Sequence, residues 1–417
     1  MPCQTYQIKG VKNLRFAHLA DCHIGSWRDQ KLRDISLKAF VKAIDECLGH
    51  GIDFMLISGD LFHTALPAID NLKLVVSKLK ELKDKGIPVY GVAGSHDYSA
   101  SGKTMLDVLG NAGLFTDVFK GEVEAEKLTL QFTTDQKTGA KITGIKGKKG
   151  MLDRKYYEQL SRTNLESEQG FKIFLFHTAI DEIKPKELER IESAPVSYLP
   201  RGFDYYAGGH VHYIYEEKRE GYGIIAYPGA LFPANFAELE KYGRGGYYLV
   251  DNKDGSTSCE WHPIQIKPTF NIEIDCNGKN PKQVEDEIKD IISKKEFINT
   301  IVLIRVRGML EAGKPSDIGF KDIFNMLKQK SAYFIMKSTS LATSKEFQEA
   351  KVDSDSVEDA EEAVIDSHLD QDKTPEKEKE MIKDLIKALS AEKEESEKVA
   401  DFEKRILDET EKIIEIK

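Results

Sequence analysis

One coincidence recurs along this chain: wherever an apolar run that reads as a strand ends, aspartate or histidine stands at its exit. Residues 14–20, 53–58 and 89–93 are such runs. Helical patterns lie between them over about 30–49 and 67–85, the second striped by Leu72, Val75, Leu79 and Leu82. Strands alternating with helices of this length imply right-handed crossovers and a largely parallel sheet. In such a sheet the carboxyl ends of the strands share one edge, the edge at which open α/β folds bind ligands. Asp21 and His23 follow the first run, Asp60 and His63 the second, and Ser95, His96 and Asp97 the third. His177 follows the run 171–176, and His210 and His212 follow 203–208, so six of the ten histidines gather at one edge.

Further strands are expected at 212–217, 223–227, 247–250 and 260–266. Short turns separate the runs from 203 onward, which predicts antiparallel pairing there. After Pro268 the composition changes: residues 269–338 read strand, helix, strand, helix, strand, a small separate α+β unit. Residues 351–377 are rich in Glu, Lys, Asp and Ser and read as a solvated linker. Helical periodicity returns over about 378–417, with Ile382, Leu385, Ile386 and Leu389, then Val399, Phe402, Ile406 and Ile413.

The formal net charge of −10 is concentrated in the tail: residues 341–417 hold 13 Lys/Arg against 25 Asp/Glu, leaving residues 1–340 at +2. The body can therefore still present a basic face to phosphate. Five scattered cysteines (Cys3, Cys22, Cys47, Cys259, Cys276), none spaced C-x-x-C, argue against a disulfide framework or a thiolate zinc knuckle. With no apolar leader and no run long enough to span a bilayer, a soluble cytoplasmic protein is expected.

Imidazole and carboxylate without thiolate suit manganese, iron or zinc. Seven candidate ligands are too many for one ion, and a central aspartate such as Asp60 can bridge two. Paired ions are suited to in-line displacement at phosphorus, so the natural substrate is a phosphoester. Taken singly, each motif has a plainer reading: Asp21 as a helix cap, His23 as a loop residue, His63 as a hydrogen bond closing its loop. His18, within the first run, reads as a core histidine, and Cys22 as a small buried residue.

The order D21-x-H23, G59-D60-x-x-H63, G94-S95-H96-D97, H177 and G209-H210-x-H212 resembles the calcineurin-like metallophosphoesterases. Within them, 19–25 (LADCHIG), 59–63 (GDLFH) and the unit 269–338 resemble the Mre-eleven/SbcD nucleases of double-strand-break repair, archaeal type. The resemblance implies an α/β fold, an αββα sandwich with mixed sheets, plus a small α+β capping domain and a helical C-terminal tail. It implies a nuclease domain over 1–266, a DNA-binding capping domain over 267–340, an acidic linker over 341–377 and a partner-binding helical segment over 378–417. It also implies two Mn2+ ions, with Mg2+, Fe2+ or Zn2+ as alternatives. Asp21, His23, Asp60 and His212 would surround one; Asp60, Ser95, His177 and His210 the other. His96 would act near the transition state, oriented by Asp97, with His63 positioning the phosphate or protonating the leaving oxygen. The family usually carries Asn where this chain has Ser95, so the second ion is expected to be held more weakly.

Residues 141–155 hold six basic residues and three glycines, and Lys146, Lys148 and Lys149 there could track a phosphate backbone. The stretch 242–248 (YGRGGYY) adds Arg244 and a tyrosine able to stack on a base. Each could equally be an ordinary solvated loop or hairpin. The implied activities are 3′→5′ exonuclease and single-strand endonuclease on DNA ends, near the nucleoid. An SbcC-type coiled-coil ATPase would be gripped by the terminal helix, and helices 67–85 and 103–112 would pair in a homodimer, with burial inside the monomer as the alternative. The rival readings are a small-molecule phosphodiesterase or phosphatase and a non-catalytic DNA-end scaffold.

Overall fold

The computed structural model describes residues 13–99, 104–148, 153–345, 376–391 and 399–414. Strands β1 (Leu14–Leu19), β2 (Phe54–Ser58), β3 (Val89–Val92) and β4 (Thr116–Asp117) come first. A hairpin, β5 (Gly121–Glu124) and β6 (Lys127–Leu130), then leads to β7 (Thr133–Thr134), β8 (Lys141–Ile145) and β9 (Lys172–His177). After the short pair β10 (Ala179–Ile180) and β11 (Ser193–Ala194) run β12 (Tyr205–Gly209), β13 (Tyr215–Arg219), β14 (Gly223–Tyr227), β15 (Gly245–Lys253) and β16 (Ser256–Ile264). The last three are β17 (Thr269–Asp275), β18 (Ile301–Leu310) and β19 (Phe334–Ser344).

Two six-stranded mixed sheets result, ordered β16-β15-β1-β2-β3-β4 and β13-β14-β12-β9-β8-β7. In the first, β1 to β4 are parallel, and β15 runs antiparallel to β1 and β16. In the second, β8, β9, β12 and β14 are parallel. The expectation of antiparallel pairing from residue 203 holds for β13 with β14 and β15 with β16 and is corrected for β12. β12 lies parallel to both β9 and β14, because the antiparallel strand β13 takes the outer edge and lets β14 return beside β12 in the same sense.

Strand alternation explains the layering. Phe16, Phe54, Leu56 and Tyr90 of the first sheet meet Ile173, Leu175, Tyr205 and Ala207 of the second in one buried cluster. The opposite face of the first sheet, with Ala17, Leu19, Met55 and Ile57, packs on Leu32, Ile35, Ala39 and Phe40 of the helix Gln30–His50 and on Val75 and Leu79 of Ile69–Asp84. Phe174, Phe176 and Tyr206 on the outer face of the second sheet pack with Tyr157 and Leu165 of two short helices. This is an αββα sandwich, as the resemblance implied. Each fully buried aromatic contributes about 1.5–3 kcal/mol relative to exposure. His18 is a core histidine, its Nδ1 bonded to Tyr205 Oη at 2.9 Å and its Nε2 to Ser58 Oγ at 3.0 Å, so it ties the two sheets together.

The chain divides into two compact units: 1–272 with 296–304 and 327–336, and 273–295 with 305–326 and 337–417. β17, β18 and β19 form a three-stranded sheet. In the second unit, Arg307 pairs with Glu273 at 3.0 Å, and the helices Glu376–Leu389 and Val399–Ile414 pack on each other. Most of the anticipated linker, 351–375, lies outside the described residues, as does Cys3. The other four cysteines are free thiols. No helix among the described residues is long and apolar enough to cross a membrane.

Candidate metal centre

The histidines and aspartates singled out above leave the carboxyl ends of β1, β2 and β3 in the first sheet and of β9 and β12 in the second. Facing sheets bring these ends together. Asp60 stands at the middle: its Oδ2 is 3.2 Å from His177 Nε2 and 3.7 Å from His23 Nε2. His23 Nε2 in turn lies 3.0 Å from His212 Nε2, which is 3.8 Å from Asp21 Oδ1. Three donor sets emerge, Asp21–His23–His212, Asp21–Asp60–His177 and His23–His63–His96, each with one donor atom per residue within 4.8 Å of the others.

The 3.0 Å between His23 Nε2 and His212 Nε2 admits an N–H···N hydrogen bond when one nitrogen is protonated, and it is also the spacing of two ligands on one ion. Donors about 2.1 Å from one ion stand roughly 3.0–3.4 Å apart. His177 Nε2 is buried with no aligned hydrogen bond, and so is His23 Nδ1. The donor chemistry and the spacing both fit divalent ions.

Local backbone geometry is also unusual. Asp21, His23, Asp60 and His210 all have positive φ, 49°, 42°, 51° and 89°. Left-handed backbone at non-glycine residues stores strain and concentrates at functional sites. Glycines make room for the cluster: a Cβ on Gly59, itself at φ +88°, would lie 2.1 Å from His177 Nδ1, and one on Gly94 would lie 2.2 Å from Asp60 Oδ1.

Burial and charge set the protonation. Burial alone would raise Asp60, but His177 and then His23 outweigh it and hold the carboxyl well below its usual range. Burial pulls His177 down, and Asp60 and Asp21 overcome it, lifting the imidazole to about 10. His212, likewise opposed by burial, is lifted to about 9 by its hydrogen bond to Glu238 and by Asp21. Burial raises Asp21 to about 6, and lowers His210 to about 4 with help from the charge on His177.

His210 stands beside these donors, next to His177. Its ring stands 5.3 Å from that of His177, outside the three donor sets, and its backbone N–H donates to both Asp21 oxygens at 3.0 and 3.1 Å. Ser95 Oγ lies 3.5 Å from Asp60 Oδ2, at the limit of a hydrogen bond.

The expected pairing of Asp97 with His96 is corrected. Asp97 instead accepts the backbone N–H groups of Leu61 (3.2 Å), Phe62 (3.0 Å) and Gly94 (3.1 Å), three donors that a buried turn must satisfy. His96 Nδ1 bonds the carbonyl oxygen of His63 at 2.9 Å, and the two rings stack at 4.8 Å. Its Nε2 is thereby the nitrogen left for chemistry.

The sequence reading missed Glu238. In the helix Phe236–Tyr242 it accepts from His212 Nδ1 at 3.0 Å and from Ala234 N at 2.8 Å, and so fixes the imidazole. The run N235-F-A-E238, an Asn cap with Glu three residues on, was the available signal. Equally unforeseen is the Ser58 carbonyl, which takes the Nδ1 proton of His177 at 2.8 Å.

Two of the basic candidates rest on aromatic rings. Lys146 lies over the Phe119 ring at 4.9 Å and Lys148 over Tyr156 at 4.4 Å, both half-buried, while Lys149 lies outside the described residues. Arg244 is exposed and shares a recess with His212 and Tyr242. Tyr247 and Tyr248 are buried, which leaves Tyr242 as the accessible tyrosine of that stretch.

Residues 14–213 match the calcineurin-like phosphoesterase family model and form a domain of that kind, a metallophosphoesterase. Such enzymes use a dinuclear metal site, and the clustered donors are those just described. More particularly, the chain is similar to archaeal proteins named DNA double-strand break repair protein Mre11. It is 26% identical to that of Methanopyrus kandleri over 301 residues, 69% of this chain and 64% of that protein. It is 28% identical to that of Methanococcus maripaludis over 299 residues, covering 68% and 76% of the two chains. With that of Methanocaldococcus jannaschii it shares 29% over 343 residues, covering 76% and 80%. The chain thus spans a little under two thirds of the Methanopyrus protein.

Proposed function

We propose that this chain is a two-metal phosphodiesterase that cuts DNA, an end-processing nuclease of double-strand-break repair. The observation that carries the reading is the convergence on Asp60 of donors from two sheets, His23 at 3.7 Å and His177 at 3.2 Å. The relatives named for double-strand-break repair support the substrate class.

Asp21, His23, Asp60 and His212 would hold one ion, and Asp60, His177, His210 and Ser95 the other. Bound there, Mn2+ or a similar ion (Mg2+, Fe2+, Zn2+) supplies hydroxide at neutral pH and neutralises charge on the phosphoryl oxygens. The protein's own groups do the rest. His96, its Nδ1 pinned by the His63 carbonyl, presents Nε2 for proton transfer, and the stacked His63 supports that ring. Asp97 holds the turn that carries Asp60. Ser95, a neutral hydroxyl with a short reach, makes the second ion the weaker one.

The activities on this reading are 3′→5′ exonuclease and single-strand endonuclease. Arg244, Lys146 and Lys148 contact the phosphate backbone on this reading, and Lys149, outside the described residues, is assigned to it from sequence alone. The terminal helices grip an SbcC-type coiled-coil ATPase, with Leu389 63% and Leu407 57% exposed for it. Ile69 and Val108, 82% and 53% exposed on their helices, serve a homodimer. The test is cleavage of circular single-stranded DNA with Mn2+, beside His96→Ala. Wild-type cleavage lost in the variant supports the reading, whereas hydrolysis of a small diester with intact DNA overturns it.

A further inference from the structure

Beside the donor cluster opens a cavity of about 510 Å³, with His210 and His212 in one wall and Leu188, Ile191, Tyr213 and Tyr242 among the others. Its size is that of a small-molecule site, typically about 300–1,000 Å³. The charged groups at its rim already have partners: Glu238 holds His212 Nδ1 at 3.0 Å, and Lys241 faces Glu187 at 3.8 Å. A second phosphate finds little to bind in such a lining. Tyr213 is stacked on Tyr227 at 5.3 Å, so Tyr242 offers the accessible aromatic ring. Tyr242 also shares with Arg244 the recess that reaches His212, which sets a cation next to the aromatic wall.

We infer that this cavity is a subsite for one nucleobase flanking the scissile phosphate, an inference that rests on the DNA-cutting reading above. Of the parts of a polynucleotide, only the base has apolar faces large enough for such walls. A phosphate seated at the donor cluster places its neighbouring nucleoside within reach of walls that include His210 and His212. A paired base must leave its stack to enter, so the cavity selects unpaired or frayed nucleotides.

The test uses the full chain with Mn2+ and end-labelled single strands in which one nucleotide is replaced by a tetrahydrofuran abasic residue. The wild-type protein is expected to cut a phosphate flanking that residue about tenfold more slowly than the same phosphate beside a base, the size of one lost stacking contact. Tyr242→Ala and Ile191→Gln slow cutting of the ordinary strand by a similar factor and leave the abasic strand unchanged, so the ratio falls toward one. Ile191 is 36% exposed, so its variant decides the matter if Tyr242→Ala fails to fold. A wild-type ratio of one, or variants that keep the wild-type ratio, overturns the subsite alone. A wild-type protein that binds Mn2+ yet cuts no oligonucleotide overturns the nuclease reading and this inference with it.

Discussion

Glu238 determines which nitrogen of His212 faces the donor cluster, because its carboxylate takes the Nδ1 proton and leaves Nε2 to point at His23. Partners of this kind raise ligand basicity and fix the ring. Glu238→Gln is expected to weaken Mn2+ binding about 10–100-fold by calorimetry, with little change in melting temperature. Protonation sets a second expectation. His177 and His212, lifted to about 10 and about 9, must each give up a proton to ligate, and Asp21, raised to about 6, must be ionised. Protons therefore compete with the ion, and affinity falls as pH drops from about 8 to about 6, with protons released on binding. Buffer-dependent binding heats measure that release; an affinity independent of pH contradicts it. At Asp97, truncation to Ala strands three buried N–H groups and should cost at least about 2 kcal/mol in chemical denaturation.

At the scale of elements, strand exits set the site, and they were the most legible part of the sequence. Asp21, His23, Asp60, His96 and His177 were found because apolar runs end abruptly in residues that bind metals or protons. What the sequence hid was partnership between elements. The capping signal at Asn235 and Glu238 announces a helix start, but not that the same carboxylate reaches His212 from another strand's exit. The parallel setting of β12 was hidden too, since a short connection reads as a hairpin unless the intervening strand moves to the sheet edge. The resemblance implied that Asp97 orients His96, yet buried backbone donors claim its carboxylate. Gly94 carries its own test: Gly94→Ala drives a methyl into Asp60 and should reduce DNA cleavage about 100-fold, since a displacement near 1 Å at a reacting centre has that cost. A variant with undiminished cleavage and Mn2+ affinity excludes this packing.

For the molecule as a whole, the donors are divided: Asp21, His23 and Asp60 belong to one sheet and His177, His210 and His212 to the other. Ions that bind the folded chain and not the unfolded one must stabilise it by mass action. At 100 times the dissociation constant this amounts to about 2.7 kcal/mol per site, seen as a rise in melting temperature with Mn2+ that EDTA reverses. On the proposed function, deleting residues 345–417 should leave that metal-dependent rise and the proposed single-strand cleavage intact while abolishing binding to the proposed ATPase partner; loss of the cleavage contradicts the assignment of the tail to partner binding. The split donor set has one more consequence. The two plates meet through Phe16, Tyr205 and the His18 link, and the reacting centre sits on the seam between them. Any bound protein or nucleic acid that slides one plate over the other by a fraction of an ångström detunes both ion positions together, so cutting can be throttled from a distance with every liganding side chain still in place.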